Sequence, residues 1–182
     1  AQLFISISQA QIDRTELDEA EDTLRDGLQI YRDNRSLRYA QALLYQEQGR
    51  NRRSASALED MVKDIPDDAN LLNALGYLLT DRLDRHEEAL PYLEEALALE
   101  PDNPAIIDSM GWVLFNLGDL DDALIHLERA YELFPDPEVA AHIIDTHWAL
   151  GNRKLALDML EETLEQNPES PHLKELDQRL TP

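Results

Sequence analysis

Apolar residues recur at helical spacing in short blocks, and the blocks come in pairs. From about Asn103 to Leu117 they fall at Ile107, Met110, Leu114 and Leu117, the alternating three-and-four spacing that keeps one face of a helix apolar. Gly118-Asp119 interrupts the pattern. A second stripe follows over Asp122 to Phe134, at Leu124, Leu127, Tyr131 and Phe134, with Asp121 just ahead of it. Pro135 cannot continue a helix and ends it. The pair predicts two antiparallel helices joined by a tight turn. The plan then returns along the chain. Ala20, Ser54, Ala89, Ala123 and Ala156 follow one another at steps of 34, 35, 34 and 33 residues, and Pro66, Pro101, Pro135 and Pro168 at 35, 34 and 33. A fixed period of this length marks stacked helical hairpins, each burying its apolar face against its neighbours.

The units divide as 1–34, 35–68, 69–103, 104–136 and 137–170, with a closing helix over about 171–180. The whole of 1–182 reads as one array. There is no initiator Met and the first helix pattern starts at once, so the chain reads as part of a longer protein. Gly49 and Gly151 stand where Gly118 does, at the end of a first helix, where a residue free to take positive φ is needed. The third unit has no such Gly and carries one extra residue around Leu83 to His86. Gly76 and Gly111 on first helices are expected to face Ala89 and Ala123 on second helices. Small side chains there let the two axes approach, and a bulky residue at Ala123 would overpack the seam at a cost of about 1–3 kcal/mol.

At this point the pattern resembles a known family. Leu-Leu-Asn-Ala-Leu-Gly-Tyr at 71–77 and Ile-Asp-Ser-Met-Gly-Trp at 107–112 resemble the first helix of the tetratricopeptide repeat (TPR) family, and the runs 87–101 and 121–135 resemble its second helix. The likeness implies an all-α fold, a right-handed α-solenoid of TPR helix-turn-helix repeats. It is weaker in the first unit, where Ser8 and Gly27 hold the small-residue places and Arg32 replaces the terminal Pro, and in the fifth, where Ile144 takes the place of Gly76 and Gly111. Within the family, the run from Asp108 to Leu150 is similar to the C-terminal repeats of a proteobacterial outer-membrane TPR lipoprotein family. That narrower resemblance implies an adaptor for a carboxyl-terminal processing protease that degrades cell-wall hydrolases.

In a TPR stack the first helices line the partner-binding wall. On an ideal helix Leu72, Leu75, Gly76 and Leu79 share one side, while Asn73, Tyr77 and Asp81 lie roughly 110–170° away. The matching residues elsewhere are Tyr39, Leu43 and Glu47; Asp108, Trp112 and Asn116; and Ala141, Asp145 and Ala149, with Phe115 and Trp148 at the margin. The expected partner-binding residues are therefore Tyr39, Asn73, Tyr77, Asp108, Trp112, Phe115, Asn116, Asp145 and Trp148. Aromatics with convergent polar groups suit anchoring, but aromatics at helical spacing also serve as packing between repeats, and the acids also serve as solvated charge. Chaperone-binding TPR domains grip a C-terminal carboxylate with Lys, Arg and Asn on this face. No Lys or Arg stands among these positions, so a basic or neutral partner segment is the better expectation.

Composition narrows the chemistry. The net charge is −22, from 38 acids and 16 bases, which repels nucleic acid and anionic membrane over most of the surface. The one basic cluster, Arg50, Arg52 and Arg53, reads as a solvated turn or a local anion contact. Without Cys there is no disulfide, no thiolate metal site and no thiol nucleophile. No apolar run approaches the ~18 residues that span a bilayer, and Leu3-Phe4-Ile5 is too short for a signal peptide. The six glycines form no phosphate loop. His142 and His147 are five apart, which is not an i, i+4 metal pair, and with Asp145 they would make only a weak site. His86-Glu87-Glu88 lacks the second His of a zinc protease motif. Asp119, Asp121 and Asp122 lack the Gly and distal Glu of a calcium loop and read as helix N-capping. Acid pairs such as Glu94/Glu95 and Glu161/Glu162 read as solvated faces. No catalytic, cofactor or metal residues are expected.

The sequence thus predicts a non-catalytic scaffold that binds proteins. By resemblance, it is a periplasmic adaptor tethered to the outer membrane through a lipidated segment upstream, whose partners are a carboxyl-terminal processing protease and its substrates. A cytoplasmic scaffold for another complex, or a regulatory segment of an enzyme whose catalytic domain lies elsewhere, stands as the alternative.

Overall fold

The computed structural model describes residues 1–181. Those residues form eleven helices and no strand: α1 (Gln2–Ile12), α2 (Leu17–Ile30), α3 (Arg35–Glu47), α4 (Asn51–Asp64), α5 (Ala69–Leu83), α6 (His86–Leu99), α7 (Pro104–Leu117), α8 (Leu120–Leu133), α9 (Pro137–Ala149), α10 (Arg153–Gln166) and α11 (Pro171–Leu180).

Helix starts alternate in kind. Asn34, Asp68, Asn103, Asp136 and Ser170 precede α3, α5, α7, α9 and α11, and each side-chain oxygen accepts a backbone N–H of the first turn at 2.8–3.4 Å. Such a cap satisfies a donor that the helix itself leaves open, at about 1 kcal/mol each. The second helices α2, α4, α6, α8 and α10 start at Glu16, Arg50, Arg85, Asp119 and Asn152 without a side-chain cap. The capping reading of the Asp119 cluster is therefore corrected. Asp119 occupies the cap position without bonding, α8 begins at Leu120 rather than Asp122, and Asp121 and Asp122 sit in its first turn. There their charge complements the helix dipole.

The turns explain this economy. Thr15, Gly49, Asp84, Gly118 and Gly151 take φ of 62°, 69°, 52°, 91° and 85°. A left-handed residue thus stands in the first turn of every pair, including the two without glycine. Asp84 serves where the third unit lacks its Gly. One left-handed step reverses the chain within two to four residues, leaving no length for a separate capping segment.

By contacts the chain separates into two bodies. Ala1–Asp84 holds α1–α5, and α6–α11 follow from Arg85. In the first, Ala20 and Leu24 of α2 meet Leu37 and Leu44 of α3, with Phe4, Ile5 and Ile12 of α1 against them. In the second, Ile107 of α7, Leu127 and Ala130 of α8, and Val139 and Ile143 of α9 form one cluster. Ala141 and Ile144 of α9, Ala156 and Leu160 of α10, and Leu173, Leu176 and Leu180 of α11 form the next. Met159 packs against both. Each cluster joins one hairpin to the first helix that follows. Phe134, expected in the α8 stripe, is instead 58% exposed, because the backbone turns extended there (φ −149°, ψ 99°) and swings the ring out of the helix face.

Close approach is real at Gly111. A Cβ there would lie 2.6 Å from Leu127 Cγ and 3.1 Å from the Ala123 carbonyl oxygen. Gly111→Ala is expected to lower stability by about 1–3 kcal/mol. Thr15→Gly is expected to raise it by about 1 kcal/mol, since a β-branched residue is strained in the left-handed region. Thermal melts of both variants check these signs.

Candidate functional site

In the first body, α1, α3 and α5 surround a hollow of about 640 Å³. None of its lining comes from α2 or α4, so it runs across successive first helices. Its apolar wall is Ile5, Ile12, Ala40, Leu43 and Leu71. Leu43 is 39% exposed. Hydroxyls and amides come from Ser8, Ser36, Tyr39, Gln2, Gln9 and Asn70. Tyr39 is half-buried, and burial pushes its phenol above the ordinary value, so the ring presents a neutral hydroxyl. Arg35 is the one charged residue in the lining, and it pairs with Asp68, the cap of α5.

In the second body the first helices are tied together by a polar ladder. Asp108 Oδ1 on α7 lies 2.9 Å from His142 Nδ1 on α9, with both side chains almost fully buried. The His142 ring stacks on Trp112 at 4.1 Å, and Trp112 stacks on Phe115 at 4.8 Å. One register further, Asp145 of α9 pairs with Arg179 of α11. Burial raises the Asp145 carboxyl above its usual range, against the pull of Arg179 and His142. Beside this ladder, Asp108, Asp136 and Glu138 line a hollow of about 420 Å³ with Pro104, Val139 and the exposed Phe134.

The basic turn is partly spent inside the first body. Arg50 donates to Glu21 at 2.8 Å, and Gln48 donates to the same oxygen at 3.0 Å. Arg53 lies over the Tyr45 ring at 4.3 Å. The hydrogen bond from Gln48 leads, with Arg50 behind it, in holding the Glu21 carboxyl below its ordinary value of 4.5, against burial. Among the described residues no group of His, Cys, Asp and Glu is placed to hold a metal ion, and no helix is long and apolar enough to cross a membrane.

Tetratricopeptide repeat models match residues 39–104, 82–141 and 114–180. The chain belongs to the tetratricopeptide repeat family. It is 36% identical over 142 residues to the TPR repeat-containing protein PA4667 of Pseudomonas aeruginosa, an alignment covering 78% of this chain and 24% of that protein. The chain therefore spans about a quarter of that relative's length. A tetratricopeptide repeat protein of Parabacteroides merdae superposes with a TM-score of 0.85 at 16% identity, covering 98% of this chain and 70% of that one. A thermophilic TPR protein of Thermus thermophilus gives 0.81 at 20% identity, with 98% and 97% covered. These structures share the TPR solenoid fold. TPR arrays are typically non-catalytic protein-interaction scaffolds.

The residues singled out in the TPR sequence fall in both bodies. Tyr39 lines the hollow of the first body. Asn73 and Tyr77 on α5 are half-buried and stand outside that lining. Asp108 is 7% exposed and bonded to His142, so the solvated alternative for it is corrected. Trp112, Phe115 and Asn116 are half-buried, and Asn116 donates to the Trp112 carbonyl at 2.8 Å. Asp145 is committed to Arg179. Trp148 packs on the last cluster with Arg153 5.1 Å from its ring. The α1 contribution, Ile5, Ser8, Gln9 and Ile12, was not anticipated. Its i, i+3, i+4, i+7 spacing was the available signal, with Ser8 and Gln9 masking it.

Because Trp112 is sandwiched between Phe115 and His142, Trp112→Ala is expected to lower stability by about 2 kcal/mol or more in a denaturant titration. Glu21 stabilises the fold above its ordinary value, and that contribution is lost as pH falls through its depressed folded value. Glu21→Gln is therefore expected to flatten the acid limb of a stability-versus-pH curve while leaving its neutral plateau lower.

Proposed function

We propose that this chain is a protein-binding scaffold that engages partner segments along its first helices. The observation that carries the reading is the hollow of about 640 Å³ crossing α1, α3 and α5. Leu43 is exposed at this hollow, where a partner segment would bury it.

Within that reading we propose a periplasmic adaptor, tethered to the outer membrane by a lipidated segment upstream, that activates a carboxyl-terminal processing protease or presents cell-wall hydrolases to it. The likeness of the run from Asp108 to Leu150 to that lipoprotein family supports this. Its mechanism is colocalisation together with a shift of the protease toward its active state. The acidic hollow of the second body, with Asp136, Glu138 and Phe134, offers a basic side chain both charge and an aromatic face.

The direct test adds the purified chain to a purified processing protease and a cell-wall hydrolase. Faster cleavage with wild type, and a return toward the unassisted rate with Tyr39→Ala/Leu43→Glu, is the expected result. An unchanged rate would discard the protease assignment. Affinity capture from separate periplasmic and cytoplasmic extracts, read by mass spectrometry, then tells whether a scaffold for another complex remains.

A further inference from the structure

We propose that the hollow of the first body receives an extended, uncharged peptide segment, gripping its main chain through side-chain amides and its small apolar side chains through Ile5, Ile12 and Leu43. This deepens the scaffold reading and rests on it.

Charge decides the occupant. In a chain with 38 acids, the lining holds no carboxylate. Its one cation, Arg35, is matched by Asp68, which is well buried and fixed by accepting the Leu71 N–H at 2.9 Å. The hollow thus offers neither a spare cation for an acidic tail nor an anion for a basic one. A charge brought into it would lose water without gaining a partner. The hollow beside α7 and α9 is the opposite case, with three carboxylates in its lining.

The polar groups that remain suit a peptide backbone. Gln2, Ser36 and Asn70 make no side-chain hydrogen bond among the described residues. Gln9 spends an N–H on Asp13 at 3.0 Å. Carboxamides and hydroxyls both donate and accept, which is what the alternating N–H and C=O groups of an extended segment require. Tyr39 adds a neutral hydroxyl. Between these groups, Ile5 and Ile12 stand two turns apart on α1 and Leu43 lies on α3, so apolar contacts and polar contacts alternate. The volume falls within the ~300–1,000 Å³ of enclosed ligand sites, which suits a short segment rather than a folded domain. A second copy of the chain is a poor occupant, because two molecules of net charge −22 repel.

The test is an array of short, end-capped peptides built from Ala, Val, Thr, Ser and Leu, each present with a neutral, Lys or Asp residue at its centre. Binding of labelled peptides with the best sequences is quantified by fluorescence anisotropy. Neutral peptides are expected to bind with little dependence on salt, and their Lys and Asp versions about tenfold or more weaker. Leu43→Glu is expected to lose the neutral peptides while keeping its circular dichroism melt. Ser36→Asp is expected to move preference to the Lys versions, a gain that misfolding cannot produce. Equal or tighter binding of charged versions, absence of any neutral binder, or unimpaired binding by Leu43→Glu would each overturn the proposal. Concentration-dependent self-association abolished by Leu43→Glu would also overturn it, by making the hollow an interface between copies. If wild type binds no neutral peptide yet still activates the protease or captures partners, only this surface is wrong. If wild type binds neutral peptides but no protein partner, the scaffold reading fails instead.

Discussion

A helical hairpin of this size cannot bury its own apolar face, and that constraint governs everything else in the chain. Ile107 on α7 is enclosed by Leu127 and Ala130 of its own hairpin and by Val139 and Ile143 of the next. Remove the neighbour and half of that enclosure is gone. The close seam at Gly111, the short left-handed turns and the capped first helices all serve one end. They place first helices such as α3 and α7 where three others reach them. A first helix so enclosed has only a narrow strip left for anything besides packing, and the hollow between α1, α3 and α5 is such a strip.

Electrostatics divides the first helices into two kinds of surface. In the second body, carboxylates enter the packing itself: Asp108 through His142, and Asp145 through Arg179. Acids bound this way hold repeats in register rather than advertise charge to a partner. In the first body, the acid near the wall, Asp68, is turned to capping α5 and to Arg35, and the wall itself is left neutral. The net charge of the chain therefore says little about either surface.

The fold was highly legible in the sequence because its signals are local and repeated. A turn Gly, a terminal Pro and a small residue at one period leave few alternatives, and even Asp84 in its left-handed turn was foreshadowed by the missing Gly and the extra residue. Helix starts were less legible. Asp119 looks like a cap and is not one, since capping depends on a side-chain torsion that composition does not record. The site was least legible. An angular projection separates core from wall on one helix, yet it cannot tell that position 142 of the next repeat will reach position 108. The sequence reading put Asp108 and Trp112 on the wall, while their engagement with His142 is a property of two helices together. Ile5, Ser8, Gln9 and Ile12 were missed because α1 departs most from the family pattern.

The ladder also gives the array an address system. Asp108 meets its partner 34 residues on, and Asp145 meets Arg179 at the same interval. The rungs differ, however: the first is carboxylate to imidazole, the second carboxylate to guanidinium. Were residues 137–170 excised, the same interval would bring Leu176 opposite Asp108, and a buried carboxylate would face a hydrocarbon. Repeats that look interchangeable by period are therefore not interchangeable by charge. Repeat number, usually free to drift in solenoids through duplication and loss, is locked at this end of the chain by two hydrogen-bonded pairs.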